Sequence, residues 1–354
     1  MDRVAYVLGA GFSAPLGLPL MRNFISLSKD LYFRDLERYS HFLPIFDAID
    51  RLSKIKNYYS ADLLNIEEIL SILEMVEFVG GRSLSQDFTK YIADVVDSFT
   101  PAIPDHEYPF SSNWDESLFG IHNKNSAYCY FVSNLMGLTF ERTATPNIHN
   151  PKGKSPFGCK VADNPSFRYS VISLNYDQVL ENSAGYIGRR FSAEECVQFN
   201  QSAYDPNSTD CQLFKLHGCT NAGNIVPPTW AKGTHTEIAP IWSAASQAIR
   251  DANHIRFIGY SLPESDSYFK YFLKAAMSET KHLKSIDVLC LDPDGAAKSR
   301  FNEFVEYSGY RFCSRDVLSY FSEIRENTKT LGVMRKAEPL EMLGLEEAHD
   351  NFFS

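Results

Sequence analysis

Polar residues follow four short apolar runs in the second half of this sequence, where their side chains could act on a bound ligand. The run at 169–174 precedes Asn175-Tyr176-Asp177, the run at 212–216 precedes His217-Gly218, the run at 254–259 leads into Gly259-Tyr260-Ser261, and the run at 285–291 precedes Asp292-Pro293-Asp294. A histidine can act as a general base near neutral pH, and an amide or a carboxylate can orient a hydroxyl group or a water molecule. Each residue taken singly also has an ordinary explanation as a turn residue or a helix cap. Taken together, they predict a ligand site.

A glycine turn near the start of the chain indicates what kind of ligand this is. Residues 9–14 read Gly-Ala-Gly-Phe-Ser-Ala and follow the apolar run 4–8 directly. This fits the dinucleotide-binding pattern, in which the first glycine permits a tight turn and the second lets backbone N–H groups approach a pyrophosphate. The N-terminus of the following helix adds partial positive charge. The alternative is that the glycines only shape a turn.

The elements that must position these residues are predicted by the rhythm of the sequence. After residue 167, short apolar runs alternate with helical patterns, which is typical of a parallel sheet covered by helices. The expected fold is α/β, a Rossmann-like parallel sheet with a helical insertion. We expect residues 1–34 and 166–330 to form the Rossmann domain, 35–165 a mainly helical insertion and 331–354 a C-terminal tail. Ligands bind beyond the carboxyl ends of such strands, where the polar residues lie.

Two other stretches give weaker signals. Prolines recur between residues 143 and 165, which predicts a loop. The chain after residue 335 reads as a helix followed by a loose end.

Composition excludes several classes of protein. The formal net charge of −10 over 354 residues disfavours binding to a phosphate backbone, so no direct nucleic-acid binding is expected. The seven cysteines form no CxxC pair, so neither a disulfide framework nor a four-cysteine zinc site is expected. The run 4–8 is too short for a signal peptide, and no stretch is long enough to span a membrane. These features predict a cytoplasmic protein without a bound metal.

The acidic residue that a dehydrogenase needs is not well placed. In dinucleotide-dependent dehydrogenases it lies at the end of the second strand, ~20 residues after the turn. Asp30 has about this spacing but falls in a helical pattern. This argues against ordinary hydride transfer.

The motifs, in this order, resemble the sirtuin-like domains of bacterial NAD-consuming anti-phage defence proteins. The resemblance is carried by Gly9-Ala-Gly-Phe-Ser13 with Gly17-Leu-Pro19, by Ser173-Leu-Asn175-Tyr-Asp177 (a T-x-N-x-D motif), by Lys215-Leu-His217-Gly218 (the histidine motif), by Val226-Pro-Pro-Thr-Trp230, by Gly259-Tyr-Ser-Leu-Pro263 and by Asp292-Pro-Asp294 (an N-P-D step). Nothing after His217 resembles the four-cysteine zinc module of deacylating sirtuins, which argues against protein deacylation. Arg22 lies one position from the arginine that the family pattern expects, and we give it no role.

The resemblance implies an NAD glycohydrolase that cleaves NAD to nicotinamide and ADP-ribose, or to a cyclic form of ADP-ribose if an adenine nitrogen replaces water. Asn175 would orient the carboxamide or the attacking water, and His217 would be a general base toward that water or a ribose hydroxyl. Asp177 would hold a ribose hydroxyl or tune the local charge. Gly9, Gly11 and Ser13 would hold the pyrophosphate, and Ser261 and Asp292 would face the adenosine half. Ala10 and Gly259 are also expected to contact the nucleotide.

The resemblance also implies a setting and partners. Depletion of cellular NAD would serve anti-phage defence by abortive infection. Because an unrestrained NADase would kill its host, we expect a homo-oligomer gated by a separately encoded partner, a HerA-type ATPase or an Argonaute-like protein. Two alternatives stay open, namely a sirtuin-type ADP-ribosyl or acyl transferase and a non-catalytic subunit that senses NAD or ADP-ribose.

Overall fold

The structure is a computed structural model that describes most of the chain. It covers residues 1–53, 66–81, 83–103, 118–119, 124–142, 157–162, 166–201, 203–220, 225, 238–334, 340–341 and 344–354.

A six-stranded parallel sheet forms the centre of the described structure. The strands of the chain, in order, are β1 (Asp2–Leu8), β2 (Leu138–Arg142), β3 (Phe157–Val161), β4 (Phe167–Ser173), β5 (Gln212–Lys215), β6 (His254–Ile258), β7 (Ser285–Leu289), β8 (Tyr310–Cys313) and β9 (Leu340–Glu341). The parallel sheet has the order β5-β4-β1-β6-β7-β8, and a small antiparallel sheet has the order β3-β2-β9. Numbered along the parallel sheet alone, the strand order is 3-2-1-4-5-6, the order of a Rossmann fold. The predicted α/β, Rossmann-like fold is confirmed.

Helices cover both faces of this sheet. In chain order, the helices of the described residues are α1 (Ala10–Ser13), α2 (Met21–Arg34), α3 (Leu43–Ser53), α4 (Ile66–Phe78), α5 (Ser85–Phe99), α6 (Lys124–Leu135), α7 (Val179–Phe191), α8 (Ala239–Arg250), α9 (Ser267–Met277), α10 (Ala296–Phe304), α11 (Val317–Met334) and α12 (Leu345–Phe353), with 3₁₀ turns at Ala14–Leu16 and Ser40–Phe42.

Alternation along β1 decides which helices cover which face. Ala5 and Val7 pack into a cluster with buried residues of α8, α9 and α10. Val4, Tyr6 and Leu8 face the other way, into a larger cluster with residues of α6, α7, α11 and α12. Because successive side chains of a strand point to opposite faces, an apolar run covered on both sides reads as continuous hydrophobic sequence.

The strand register aligns the carboxyl ends of all six strands. Leu8 of β1 pairs with Ser173 on one side and Ile258 on the other. The same row continues from Ser173 to Lys215. In the other direction it continues from Ile258 through Leu289 to Cys313. Residues that immediately follow these positions therefore emerge along one edge of the sheet, at spacings of ~4.8 Å between neighbouring strands.

The structure differs from the sequence-based expectations in two places. Phe157–Val161, predicted as loop, is strand β3 and pairs with β2. Local composition missed it because a short edge strand owes its formation to its partner. The expected loose end is instead helix α12, with Leu345, Ala348 and Phe352 buried against the larger cluster.

A buried polar network holds helix α12 to the sheet. Glu346 makes two hydrogen bonds to the buried guanidinium of Arg256, at 2.8 and 2.6 Å. Arg256 donates to Tyr6, Tyr6 contacts Tyr320, and Tyr320 contacts Nδ1 of His349. Each of these side chains makes at least one hydrogen bond within the network, which offsets part of the cost of burying its polar atoms.

Candidate functional site

The glycine turn packs backbone to backbone against the end of β6. The N–H of Gly9 donates to the carbonyl of Ile258 at 3.1 Å, and that of Gly11 donates to Gly259 at 2.8 Å. A Cβ atom built on Gly11 would lie 2.8 Å from the carbonyl oxygen of Gly259, and one built on Gly259 would lie 2.1 Å from the nitrogen of Phe12. Only glycine fits such contacts.

These contacts alter the expected role of the two turn glycines. The motif predicts that their N–H groups approach a pyrophosphate, but both N–H groups are bonded to β6 and the residue after it. The function that the structure gives Gly9 and Gly11 is close packing. Their contact with a pyrophosphate stays a prediction, as does that of Ala10, which is exposed, and of Ser13, which is buried.

Asn175 connects the end of β4 to the glycine turn. Its side-chain nitrogen donates to the carbonyl of Gly9 at 3.0 Å and to Oγ of Ser13 at 3.3 Å. Because a carbonyl only accepts, the atom facing Gly9 must be the amide nitrogen, which fixes the orientation of the side chain. The amide oxygen is thereby held in one direction, as a group that orients a ligand must be.

Asp177 lies in a buried charge cluster behind Asn175. One carboxylate oxygen accepts the N–H of Val179, the first residue of helix α7, at 3.0 Å. The buried ammonium of Lys215 donates to the backbone carbonyl of Asp177 and to Glu181, the latter at 3.0 Å. Burial raises the pKa of Asp177, and the charge of Lys215 opposes this rise. A carboxyl with a raised pKa holds a proton more readily than an exposed one.

His217 follows the end of β5, the strand that pairs with β4. Ser173 and Lys215, the last residues of these two strands, are paired, and Asn175 and His217 each come two positions later in the chain. The His217 side chain is buried, between the rings of Tyr176 at 5.8 Å and Trp242 at 6.3 Å. The structure therefore brings the two predicted catalytic side chains to neighbouring strand ends, as the proposed chemistry needs.

Two residues with positive φ values and one arginine shape the segment after β6. Gly259 and Leu262 both have positive φ values, of 66° and 51°. Arg300 of α10 donates twice to the carbonyl of Ser261, at 3.2 and 3.0 Å. Thus Ser261 is fixed at the same sheet edge by its backbone.

Asp292 has an additional structural role. Its two carboxylate oxygens accept the N–H groups of Ala297 and Lys298, both at 2.9 Å, at the start of α10. Burial would raise the pKa of Asp292, but these two donors outweigh it and hold the pKa below its usual value. Contact with an adenosine ribose stays a prediction for this residue.

The predicted residues thus fall into a connected group and two outer positions. Gly9, Gly11, Ser13, Asn175, Asp177 and Gly259 are joined by contacts or by neighbouring strand ends, with His217 beside them. Ser261 and Asp292 follow β6 and β7 and are both tied to α10. The segment 226–230 lies outside the described residues.

Sequence reasoning missed Lys215 and Glu181 as members of the site. A signal for Lys215 exists, because it is the one charged residue in the apolar run 212–216. A charge placed in a buried strand requires a partner nearby. Glu181 carries no such signal, since it lies on a helix that sequence alone does not place over β5.

Within the described part of the chain, no group of three or more His, Cys, Asp or Glu side chains is arranged to hold a metal ion. Among the same residues, no helix combines the length and apolar character that a membrane crossing needs.

The order of the six strands and the polar residues at their carboxyl ends define a Rossmann-like α/β protein with a candidate nucleotide site. Residues 169–313 match the family model described as the SIR2-like domain. This match supports a sirtuin-like domain over these residues and suggests an NAD-related function. The match spans β4 to β8, and the glycine turn lies before it. No curated protein matches this chain.

Proposed function

We propose that this protein is an NAD glycohydrolase that cleaves NAD into nicotinamide and ADP-ribose. The observation that carries the proposal is the contact of Asn175 with Gly9 and Ser13, beside His217. One amide side chain thus connects the predicted catalytic strand ends to the turn predicted to hold the pyrophosphate. The SIR2-like family match supports the choice of NAD.

The bond to be broken joins nicotinamide to C1′ of the ribose. Its cleavage develops positive charge on the sugar, as in glycoside hydrolysis. The pyridinium leaves as neutral nicotinamide, so the leaving group needs no general acid. The protein's tasks are to hold the ribose, to orient one water molecule and to accept its proton.

Asn175 and His217 suit these tasks. The fixed amide of Asn175 presents its oxygen in one direction, which would orient the carboxamide or the water. His217, shielded by Tyr176 and Trp242, would accept a proton from the water or from a ribose hydroxyl. Asp177 would either tune the local charge at the site or hold a ribose hydroxyl.

The test is release of free nicotinamide from NAD by the purified protein. We expect Asn175→Ala and His217→Ala to lower the rate by ~100-fold or more, the range typical of general-base and positioning groups. Matched controls are Asn253→Ala and His254→Ala, which alter the same residue types where β6 begins, at the opposite edge of the sheet. If the two site variants are as active as the controls, the roles assigned to Asn175 and His217 are wrong. If the wild-type protein releases no nicotinamide even in the presence of a partner, the proposed activity is wrong.

We also propose a place for this activity in anti-phage defence by abortive infection. This proposal rests on the motif resemblance. On the same basis we propose that the protein is a homo-oligomer that assembles through the region 35–165, and that a HerA-type ATPase or an Argonaute-like protein controls its activity. Phage infection of cells carrying the wild-type chain with its neighbouring genes should lower cellular NAD, and cells carrying Asn175→Ala should keep it. Light scattering that finds only monomer would contradict the oligomer.

A further inference from the structure

Helix α6 reaches the glycine turn through two side chains on one face. Tyr128, fully buried, donates its hydroxyl to the backbone carbonyl of Phe12. Lys124, one helical turn earlier, donates to the carbonyl of Pro15 at 2.6 Å. Side chains one turn apart lie on the same face of a helix. Two carbonyls of the segment 10–16 are therefore held by a helix from the region predicted as an insertion.

The side chain of Phe12 extends this attachment. Phe12 lies between Gly11 and Ser13, and its ring is almost fully buried. Its ring centroid lies 5.2 Å from that of Tyr128 and 5.8 Å from those of Phe131 and Phe321. Tyr128 and Phe131 belong to α6, so one helix contacts both the backbone and the side chain of the same turn residue. The contacts with Tyr128 and Phe321 are edge-to-face, an arrangement that favours one relative orientation of the rings.

The turn is thus held from two directions. On one side Gly11 packs against Gly259, and Ser13 meets Asn175. On the other side lie Tyr128 and Lys124. The first set of contacts belongs to the parallel sheet and its loops. The second belongs to a helix in which no residue was predicted to contact nucleotide.

We infer that Tyr128 and Lys124 are positioning residues for the nucleotide-binding turn, and that helix α6 sets the affinity for NAD through them. The inference rests on the proposed function. It assigns helix α6, which lies within the region 35–165, an indirect effect on the site, because a shift of α6 would disturb its hydrogen bonds to the carbonyls of Phe12 and Pro15. Both side chains act through the turn.

The experiment measures NAD binding by calorimetry in wild type, Tyr128→Phe and Lys124→Met. For Tyr128→Phe we expect the Kd for NAD to rise roughly tenfold, equivalent to about 1.4 kcal/mol. For Lys124→Met we expect a rise of about twofold to threefold, because Lys124 is exposed. In turnover, KM should rise with the Kd while kcat stays within about twofold, since both contacts act on binding.

The matched control is Tyr91→Phe. Tyr91 is another fully buried tyrosine, and its hydroxyl meets Oγ of Ser28 at 2.7 Å, between α5 and α2. Both Tyr→Phe variants should lose stability in urea, but Tyr91→Phe should keep the wild-type Kd. Amide hydrogen exchange over residues 10–17 should become faster in Tyr128→Phe and stay unchanged in Tyr91→Phe.

Three results would overturn the inference. They are a Kd for Tyr128→Phe within twofold of wild type, an equal rise in Kd for Tyr91→Phe, and unchanged exchange over residues 10–17 in Tyr128→Phe. The exchange experiment needs no NAD. If the wild-type protein does not bind NAD, the proposed function is wrong. The exchange experiment still tests the contact between α6 and the turn in that case, so the two failures can be told apart.

Discussion

Replacing Gly259 with alanine tests how the glycine turn and the end of β6 fit together. Gly259 has a φ of 66°, and a Cβ atom there would lie 2.1 Å from the nitrogen of Phe12 and 2.4 Å from the carbonyl carbon of Gly11. Non-bonded carbon atoms normally stay ~3.5 Å or more apart. The two backbone segments would have to separate by about 1 Å.

The cost has two sources. A left-handed backbone conformation costs a residue with a Cβ about 1–2 kcal/mol. Separation of the segments would break the hydrogen bonds from Gly11 to Gly259 and from Gly9 to Ile258, which are 2.8 and 3.1 Å long. Each broken bond costs about 1 kcal/mol. We therefore expect Gly259→Ala to lower the free energy of unfolding by about 3–4 kcal/mol.

The matched control is Gly295→Ala. Gly295 has a similar φ of 76°, but a Cβ atom there would have no neighbour within 4 Å. It should lose only the conformational part, about 1–2 kcal/mol. Urea unfolding measures both variants, and NAD binding should weaken by more than tenfold in Gly259→Ala alone. Equal losses of stability in the two variants would refute the close packing on which the turn geometry rests.

Two further predictions concern buried charges. Burial, with the nearby charge of Arg256, lowers the pKa of His349 to about 4. As the pH falls below 6.5, the ordinary pKa of histidine, the His349 side chain therefore takes up a proton in the unfolded chain but stays neutral in the folded protein. The free energy of unfolding should therefore fall by about 2 kcal/mol from pH 7 to pH 5, and urea titrations of His349→Gln should show a clearly smaller fall. Lys215→Met leaves the carboxylate of Glu181 without its partner at 3.0 Å and should cost about 2–3 kcal/mol in urea unfolding. Adding Glu181→Gln should recover part of that loss, and additive losses would show that the pair does not interact.

Much of the sheet could be predicted from the sequence because its strands are short, apolar and bounded by turns. The runs at 4–8, 169–174, 212–216, 254–259 and 285–291 each overlap a strand of the parallel sheet. Strand β8 was missed, and its four residues are all partly exposed. An edge strand of this kind lacks the continuous hydrophobic pattern that marks a strand buried on both faces.

Most members of the candidate site could be predicted from the sequence, but the contacts between them could not. Glycines next to a strand end, and an asparagine or histidine after one, are local signals that the sequence shows directly. The contact of Asn175 with Gly9 spans 166 residues and depends on β4 pairing with β1. Nothing in the local pattern states that pairing, so the sequence could propose the members of the site without their contacts.

By itself, the sequence determined five of the six strands of the parallel sheet, where tight turns occur and which polar residues stand at the ends of those strands. These properties follow from side-chain periodicity and from the few residue types that tolerate a turn. Tertiary structure decided that Gly11 packs on Gly259, that Lys215 meets Glu181 and that Tyr128 holds the carbonyl of Phe12, 116 residues away. Contacts between distant segments depend on strand order and helix packing, which are set by the combined burial of the whole chain.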